Sequence, residues 1–292
     1  MTINIKPVNP AAHPDFVGEV EGIDLRNPLA ADDVAAIEAG MDRFAVLVFH
    51  DQPINDEQQV AFARNFGKLE QATGDLAQGA ERRLAIELND ISNLNRDGTV
   101  MARDDRKRLF GLGNMLWHSD SSFKATPAKY SMLSARILPK RDGNTEFADM
   151  RAAYDALDEE DRAKLEGLVC EHTQITSRGV LGFTDFTPDE LIRFAPVRQT
   201  LVRTHPVTGR KSLFLSSHAG AIEGYPVPEA RALLRDLTEH ATQREFVYKH
   251  VWRLHDLVIW DNRTTLHRAR RYDPTEVRDM RRTTLESDGP TV

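Results

Sequence analysis

The chain has one cysteine, Cys170, in 292 residues. A single thiol cannot close an internal disulfide, so nothing points to an oxidising compartment. Cys170 lies in the apolar run Leu168-Val169-Cys170, where a thiol serves as inert packing and not as a nucleophile. Long hydrophobic runs are absent too, and no stretch approaches the length of a membrane span. The first ten residues carry neither an apolar core nor a small-residue cleavage site, so no signal peptide is expected. A cytoplasmic protein is the default. Basic charge is not in excess either: 38 Lys and Arg face 45 Asp and Glu, a net charge of -7. That balance argues against nucleic-acid binding but leaves room for a local basic pocket. Internal repeats, low-complexity segments and clear boundaries are also missing, so residues 1–292 are expected to form a single domain.

What is present is 40% hydrophobic content, enough for a substantial core, and a short phrase, Trp117-His118-Ser119-Asp120. In an extended strand alternate side chains leave on one face. His118 and Asp120 would then point the same way, within reach of one metal ion. A third ligand from elsewhere would complete a 2-His-1-carboxylate site, the arrangement of non-haem Fe(II) oxygenases. His-x-Asp alone is weak evidence. With 10 His in the chain, roughly one match is expected by chance. His13-Pro14-Asp15 is such a match, discounted because proline cannot donate to a strand ladder.

In chain order, Val17 to Asp24 alternates like a strand, Asp32 to Met41 has helical spacing, and Ala45 to Phe49 reads as a buried strand. Asn55 and Gln58 form a capping-box pattern for a helix ending before Gly67, with Val60, Ala63 and Phe66 expected to face the core. From Gln71 to Leu112 the pattern is poor. It holds a strand signal at Glu87 to Leu94 and a charged run, Arg103 to Arg108, which reads as a solvated loop. Such a segment just before a candidate site has the character of a lid. Strands are expected at Tyr130 to Leu138 and from Thr145, and helices over Asp149 to Leu157 and Glu159 to Leu168. Ser177 to Pro196 reads as loop, and a hairpin turns at Pro206 to Arg210. A helix spans Pro228 to Thr242. Phe246 to Trp252, Asp256 to Asp261 and Arg281 to Leu285 read as closing strands. Many short strands with helices to one side predict a mainly β sandwich or barrel.

The second stretch that matters is Trp260-Asp261-Asn262-Arg263-Thr264-Thr265-Leu266-His267, followed by Arg278 and Arg282. Together with Leu116 to Phe123 it resembles the Fe(II)/2-oxoglutarate dioxygenases that include taurine dioxygenase and 2,4-dichlorophenoxyacetate dioxygenase. The resemblance runs from about Val17 to Leu285 and is nearer to the phenoxyacetate branch. Val46 to Phe49, Gln59 to Gly67, Tyr130 to Ala135, Asp149 to Leu157 and Glu239 to Tyr248 carry it outside the metal motifs.

The resemblance implies a double-stranded β-helix, a jelly-roll barrel with helices outside. It implies His118, Asp120 and His267 as ligands to Fe(II), with 2-oxoglutarate and O2 as cosubstrates. Zn(II) would fit the same donors, so the metal follows from the resemblance and not from the residues. Arg278 corresponds to the arginine that grips the distal carboxylate of 2-oxoglutarate, with Thr145 assisting. Arg282, four residues on and on the same face of a strand, corresponds to the arginine holding the anionic end of the primary substrate. Asn114, Trp117 and His218 match positions lining the substrate site, although Trp117 serves equally as core. Trp260-Asp261-Asn262 is expected to support His267 from behind. The implied substrate is a small anionic aromatic such as 2,4-dichlorophenoxyacetate, cleaved to a phenol and glyoxylate. The alternative is a taurine-type sulfonate or another small carboxylate. Self-association is expected, and neither nucleic acid nor membrane is an expected partner.

Overall fold

The computed structural model describes residues 3–72 and 82–292. Part of the expected lid, residues 73–81, and the first two residues lie outside the described residues. The chain opens with β1 (Asn4–Pro7), β2 (Val17–Glu21), α1 (Ala31–Phe44), β3 (Val46–Phe49) and α2 (Asp56–Arg64). Next come β4 (Asn89–Asp90), α3 (Arg106–Gly111), β5 (Ala128–Ile137), β6 (Thr145–Asp149), α4 (Met150–Asp155) and α5 (Glu159–Leu165). An outer region follows: β7 (Val169–His172), α6 (Gln174–Val180), α7 (Pro188–Arg193), β8 (Val197–Thr200), β9 (Val202–Thr204), β10 (Lys211–Leu213), β11 (Ala219–Ile222) and α8 (Val227–Ala241). The chain closes with β12 (Val247–His250), β13 (Leu257–Asp261), β14 (Thr265–Ala269) and β15 (Asp279–Glu286).

Two sheets frame the interior. The larger runs β1-β2-β3-β13-β5-β15-β4 and the smaller β12-β6-β14. All neighbours are antiparallel except β2 with β3. Strict alternation divides the large sheet's two faces. Val46 and Val48 of β3, with Val258 and Trp260 of β13, point inward and pack with Phe147 of β6. Leu47, Phe49, Leu257 and Ile259 point outward, where Ile37, Met41 and Phe44 of α1 and Phe62 of α2 cover them. A period of two with both faces buried explains why β3 and β13 are continuous apolar runs. The small sheet repeats the logic: Ala148 and Leu266 face an outer layer built on α4, α8 and the hairpin β9–β10, while Phe147 and His267 face inward.

The chain is therefore mainly β with flanking helices, in two packed sheets. The strands do not close into one hydrogen-bonded ring among the described residues, so the expected barrel is better described as a jelly-roll sandwich. The capping box of α2 is present. Gln58 N–H donates to Asn55 Oδ1 (2.8 Å), and Asn55 N–H donates to the Gln58 side chain (2.9 Å). The core-facing residues of that helix are Gln59, Phe62 and Ala63, with Phe66 buried just beyond its end. Val60 is turned one step away from the face expected of it.

Two regions read as loop are structured. The charged run ends in the first turn of α3, capped by Asp105, whose side chain accepts from Arg108 N–H at 2.9 Å. Ser177 to Pro196 contains the end of α6 and all of α7. A three-stranded sheet, β11-β7-β8, was not anticipated either. Among the described residues no helix is long and apolar enough to cross a membrane.

Candidate active site

His267 lies in β14, and its position is set by the turn that precedes it. Asp261 N–H donates to Ala45 O, and the Asp261 carboxylate accepts from the backbone and guanidinium of Arg263 (2.8 and 2.9 Å). The chain then reverses into β14. His118 follows a single 3₁₀ turn, Leu112–Met115, and meets His267 in an isolated antiparallel bridge. His118 N–H donates to His267 O (3.0 Å) and His267 N–H to His118 O (2.9 Å). The two imidazole centroids are 4.1 Å apart.

Asp120 lies two residues on. It was expected to share a strand face with His118, but no strand forms there. The chain turns at Asp120, with Ser121 left-handed at φ 54, and the turn brings the carboxylate round to the imidazoles. Asp120 Oδ1 is 3.9 Å from His118 Nε2, and Oδ2 is 3.6 Å from His267 Nε2. One ligand atom of each of the three buried residues lies within 4.8 Å of the others.

The electrostatics suit a divalent cation. Burial is the main influence on both imidazoles: it lowers the pKa of His118 and takes that of His267 well below 6.5, so both rings are neutral and keep a lone pair. His118 Nδ1 lies 2.8 Å from Leu116 O, which fixes the proton there and leaves Nε2 facing the carboxylate. For Asp120, burial pushes upward, but the Arg282 guanidinium outweighs it, helped by the Ser131 hydroxyl, and the carboxyl is held at about 2. Two neutral nitrogens and one ionised carboxylate form a donor set for Fe(II) or a similar ion.

The support behind this trio differs from expectation. Asn262 serves Asp120 and not His267. Asp120 N–H donates to Asn262 Oδ1 (3.0 Å), as does Trp260 Nε1–H (3.1 Å). Asn262 Nδ2 donates to Ser131 Oγ (2.9 Å), whose hydroxyl donates to Asp120 Oδ2 (2.7 Å). His267 is held instead by its backbone bridge and by the Trp260 ring, 4.6 Å away. Its Nδ1 finds no hydrogen-bond partner among the described residues.

A small cavity of about 30 Å³ adjoins His118 and His267 and is also lined by Thr145, Arg278 and Arg282. Thr145 Oγ1 accepts from Trp252 Nε1–H at 3.0 Å, so its own proton remains to donate elsewhere. Arg278 precedes β15 and does not lie on it, and the strand is irregular at Asp279–Met280. Arg278 and Arg282 nevertheless line the same cavity. The Arg278 guanidinium makes one long hydrogen bond, Nη1 to Ile91 O at 3.4 Å, and its buried Nε makes none. Burial pulls its pKa down to about 10. No carboxylate pairs with it among the described residues.

A second cavity, of about 1310 Å³, adjoins the first and shares His118, Arg278 and Arg282 with it. Asn114 lines both cavities, and Arg282 and His218 line the larger. The His218 ring packs 5.0 Å from Phe123 and 6.1 Å from His118, with Nδ1 2.9 Å from Ser177 Oγ. Arg282 is already engaged, its Nη1 donating to Asp120 Oδ1 in a short ion pair. Trp117 lines neither cavity. It belongs to the outer core, with the Arg268 guanidinium 4.4 Å over its ring, and is packing. Arg178 of α6 lines the large cavity, is buried, and was not anticipated from sequence.

The family model for the Taurine catabolism dioxygenase TauD, TfdA family matches residues 4–284. An alpha-ketoglutarate-dependent 2,4-dichlorophenoxyacetate dioxygenase of Cupriavidus pinatubonensis is 51% identical over 276 residues, 94% of this chain and 96% of that protein. An (S)-phenoxypropionate/alpha-ketoglutarate-dioxygenase of Sphingobium herbicidovorans is 38% identical, over 86% of this chain and 85% of its own. Among solved structures, AAD-2 in complex with Mn(II) and N-oxalylglycine superposes with a TM-score of 0.91 at 58% identity, covering 100% of this chain and 99% of that one.

Proposed function

Since the chain belongs to the Taurine catabolism dioxygenase TauD, TfdA family, we propose that it hydroxylates the carbon beside the ether oxygen of 2,4-dichlorophenoxyacetate or a related aryloxyalkanoate. It is a 2-oxoglutarate-dependent dioxygenase that uses Fe(II), 2-oxoglutarate and O2. The observation that carries the substrate class is the 51% identity, over 94% of the chain, to a relative named for that substrate.

The trio His118, Asp120 and His267 would hold the iron, which supplies the O2 activation and oxidative decarboxylation that no side chain here can perform. The chain's own residues position and shield. Arg278 offers a planar fork to the distal carboxylate of 2-oxoglutarate in the small cavity, and Thr145 Oγ–H adds a donor beside it. That anchorage directs the keto acid end toward the trio. In the larger cavity, Asn114, His218 and Arg282 border the space for the aryloxy group, and the Phe123 ring provides an apolar wall. Holding the ether-linked carbon against the reacting centre and excluding water are the protein's contributions to rate. The hydroxylated product is a hemiacetal, which collapses to a phenol and glyoxylate without a dedicated acid or base. Exposed apolar side chains on α6 and α7, Val180 and Ile192 among them, favour self-association, which sedimentation of the purified protein would decide.

The test is a substrate panel with Fe(II)-loaded protein, following succinate, phenol and glyoxylate. Equal release of phenol and succinate from an aryloxyacetate is expected. Consumption of 2-oxoglutarate with taurine, and none with any phenoxyacetate, would replace this substrate class by a sulfonate.

A further inference from the structure

The large cavity holds a second buried cation that none of the roles above uses. Arg178 is 4% exposed, and no carboxylate pairs with it among the described residues. Burial alone draws its pKa down to about 10. Among the described residues its guanidinium makes one hydrogen bond, from Nη1 to Ser177 Oγ at 2.9 Å. Nε is buried without a partner, and the guanidinium lies 4.3 Å over the Phe110 ring. A desolvated guanidinium left without an anion is costly. The surroundings nevertheless make room for it: a Cβ on Gly113 would stand 2.5 Å from Arg178 Cζ, so residue 113 must lack a side chain for the guanidinium to sit where it does.

We propose that Arg178 receives the carboxylate of the aryloxyalkanoate, an inference that rests on the proposed function and names the anchor within it. The other candidates are less free. Arg282 is neutralised by Asp120. His218 is restricted by proton bookkeeping. Ser177 Oγ–H donates to Gln174 O (3.0 Å) and accepts from Arg178 Nη1, so the 2.9 Å contact to His218 requires His218 Nδ1–H to be the donor. That leaves a lone pair on His218 Nε2, which repels a carboxylate. Arg178 keeps Nε–H and Nη2 unpaired, the edge of the fork that grips a carboxylate with two bonds. Ser177 ties Arg178 and His218 together beside His118, so an anion held there leaves the adjacent ether carbon toward the metal trio and the aromatic ring toward Phe123.

The test compares phenoxyacetate with phenoxyacetamide, its neutral isostere. Binding is measured by equilibrium dialysis under anaerobic conditions with Fe(II) and 2-oxoglutarate, alongside steady-state kinetics. Wild type is expected to prefer the acid. Arg178→Gln is expected to lose on the order of 100-fold in affinity for the acid, to bind acid and amide alike, and to leave the KM for 2-oxoglutarate unchanged. Arg178→Lys recovers part of the preference. The ligand-free Tm of Arg178→Gln should match or exceed wild type, because the variant removes an uncompensated charge; a purely structural arginine would lower it. Gly113→Ala gives a second route, displacing the guanidinium without deleting it, and the same loss of preference is expected. An Arg178→Gln or Gly113→Ala protein that keeps the acid preference overturns the assignment while the proposed function stands. A wild type that binds no aryloxyacetate overturns both.

Discussion

His118 and His267 exchange both of their backbone hydrogen bonds, at 3.0 and 2.9 Å. That single bridge joins two stretches remote in sequence and sets their imidazoles 4.1 Å apart. The trio is thus fixed by main chain first and by side-chain packing second. Asp120 is the member that depends on side chains, through Asn262, Ser131 and Arg282.

Ser131 and Asn262 are therefore positioning residues for Asp120. Ser131→Ala removes the donor to Oδ2, and Asn262→Ala removes the acceptor for Asp120 N–H. Each is expected to weaken Fe(II) affinity by about 10- to 100-fold, read from metal titration, with little change in the KM for 2-oxoglutarate once the site is saturated. Unchanged metal affinity in both variants would remove them from this role.

Arg278→Gln should raise the KM for 2-oxoglutarate by on the order of 100-fold and leave aryloxyacetate binding alone. The variant should also lose the preference for 2-oxoglutarate over a 2-oxo acid without a distal carboxylate. A retained preference would place that carboxylate elsewhere.

His172 gives a pH prediction away from the site. It is fully buried against Phe214, with neither ring nitrogen hydrogen-bonded among the described residues, and burial lowers its pKa from 6.5 to about 3. Between those values the unfolded chain holds a proton that the folded one refuses. Stability therefore falls as pH drops from 6.5 toward 3, by about 1.4 kcal/mol per pH unit from this residue. His172→Phe should flatten that slope in urea unfolding measured across the range. An unaltered slope would mean that His172 takes up its proton while folded.

Arg106 links α3 to α7 through a two-bond contact with Glu190 (2.6 and 3.0 Å) and a bond to Asp185. Arg106→Ala is expected to loosen α3, seen as faster amide exchange over Arg106–Gly111, at a cost of about 1 kcal/mol or less because the arginine is partly exposed. Equal exchange rates would show that the apolar contacts of Phe110 hold the helix unaided.

Features that depend on neighbouring residues were legible in the sequence. The Asn55–Gln58 capping box, the hairpin around Pro206 to Arg210 and the continuous apolar strands β3 and β13 all formed as expected. The grouping of His118, Asp120 and His267 was legible only through the resemblance, because a β bridge between remote segments leaves no local pattern. Features decided by tertiary contacts were missed. The end of the charged run, from Arg106, becomes helical where Arg106 meets Glu190 of α7 and Asp185 before it, which no spacing rule reveals. Trp117 beside a ligand looked like a substrate contact, but its ring points to the outer core. Asn262 supports Asp120 where His267 was expected, because the turn after β13 aims the amide across to β5. Arg178 had one available signal: no acidic residue stands within four positions of it along the chain. Burial of a basic side chain, however, cannot be read from sequence.

His118, Asp120 and His267 are expected to bind one metal ion, with 2-oxoglutarate taken up beside Arg278. The most direct test is anaerobic titration of the protein with Fe(II) and then 2-oxoglutarate, followed in the visible region. Wild type should develop a weak charge-transfer band that saturates with 2-oxoglutarate, and Asp120→Ala should develop none while remaining folded. A band of wild-type strength and affinity in Asp120→Ala, or no band in wild type alongside tight retention of Zn(II), would contradict the account.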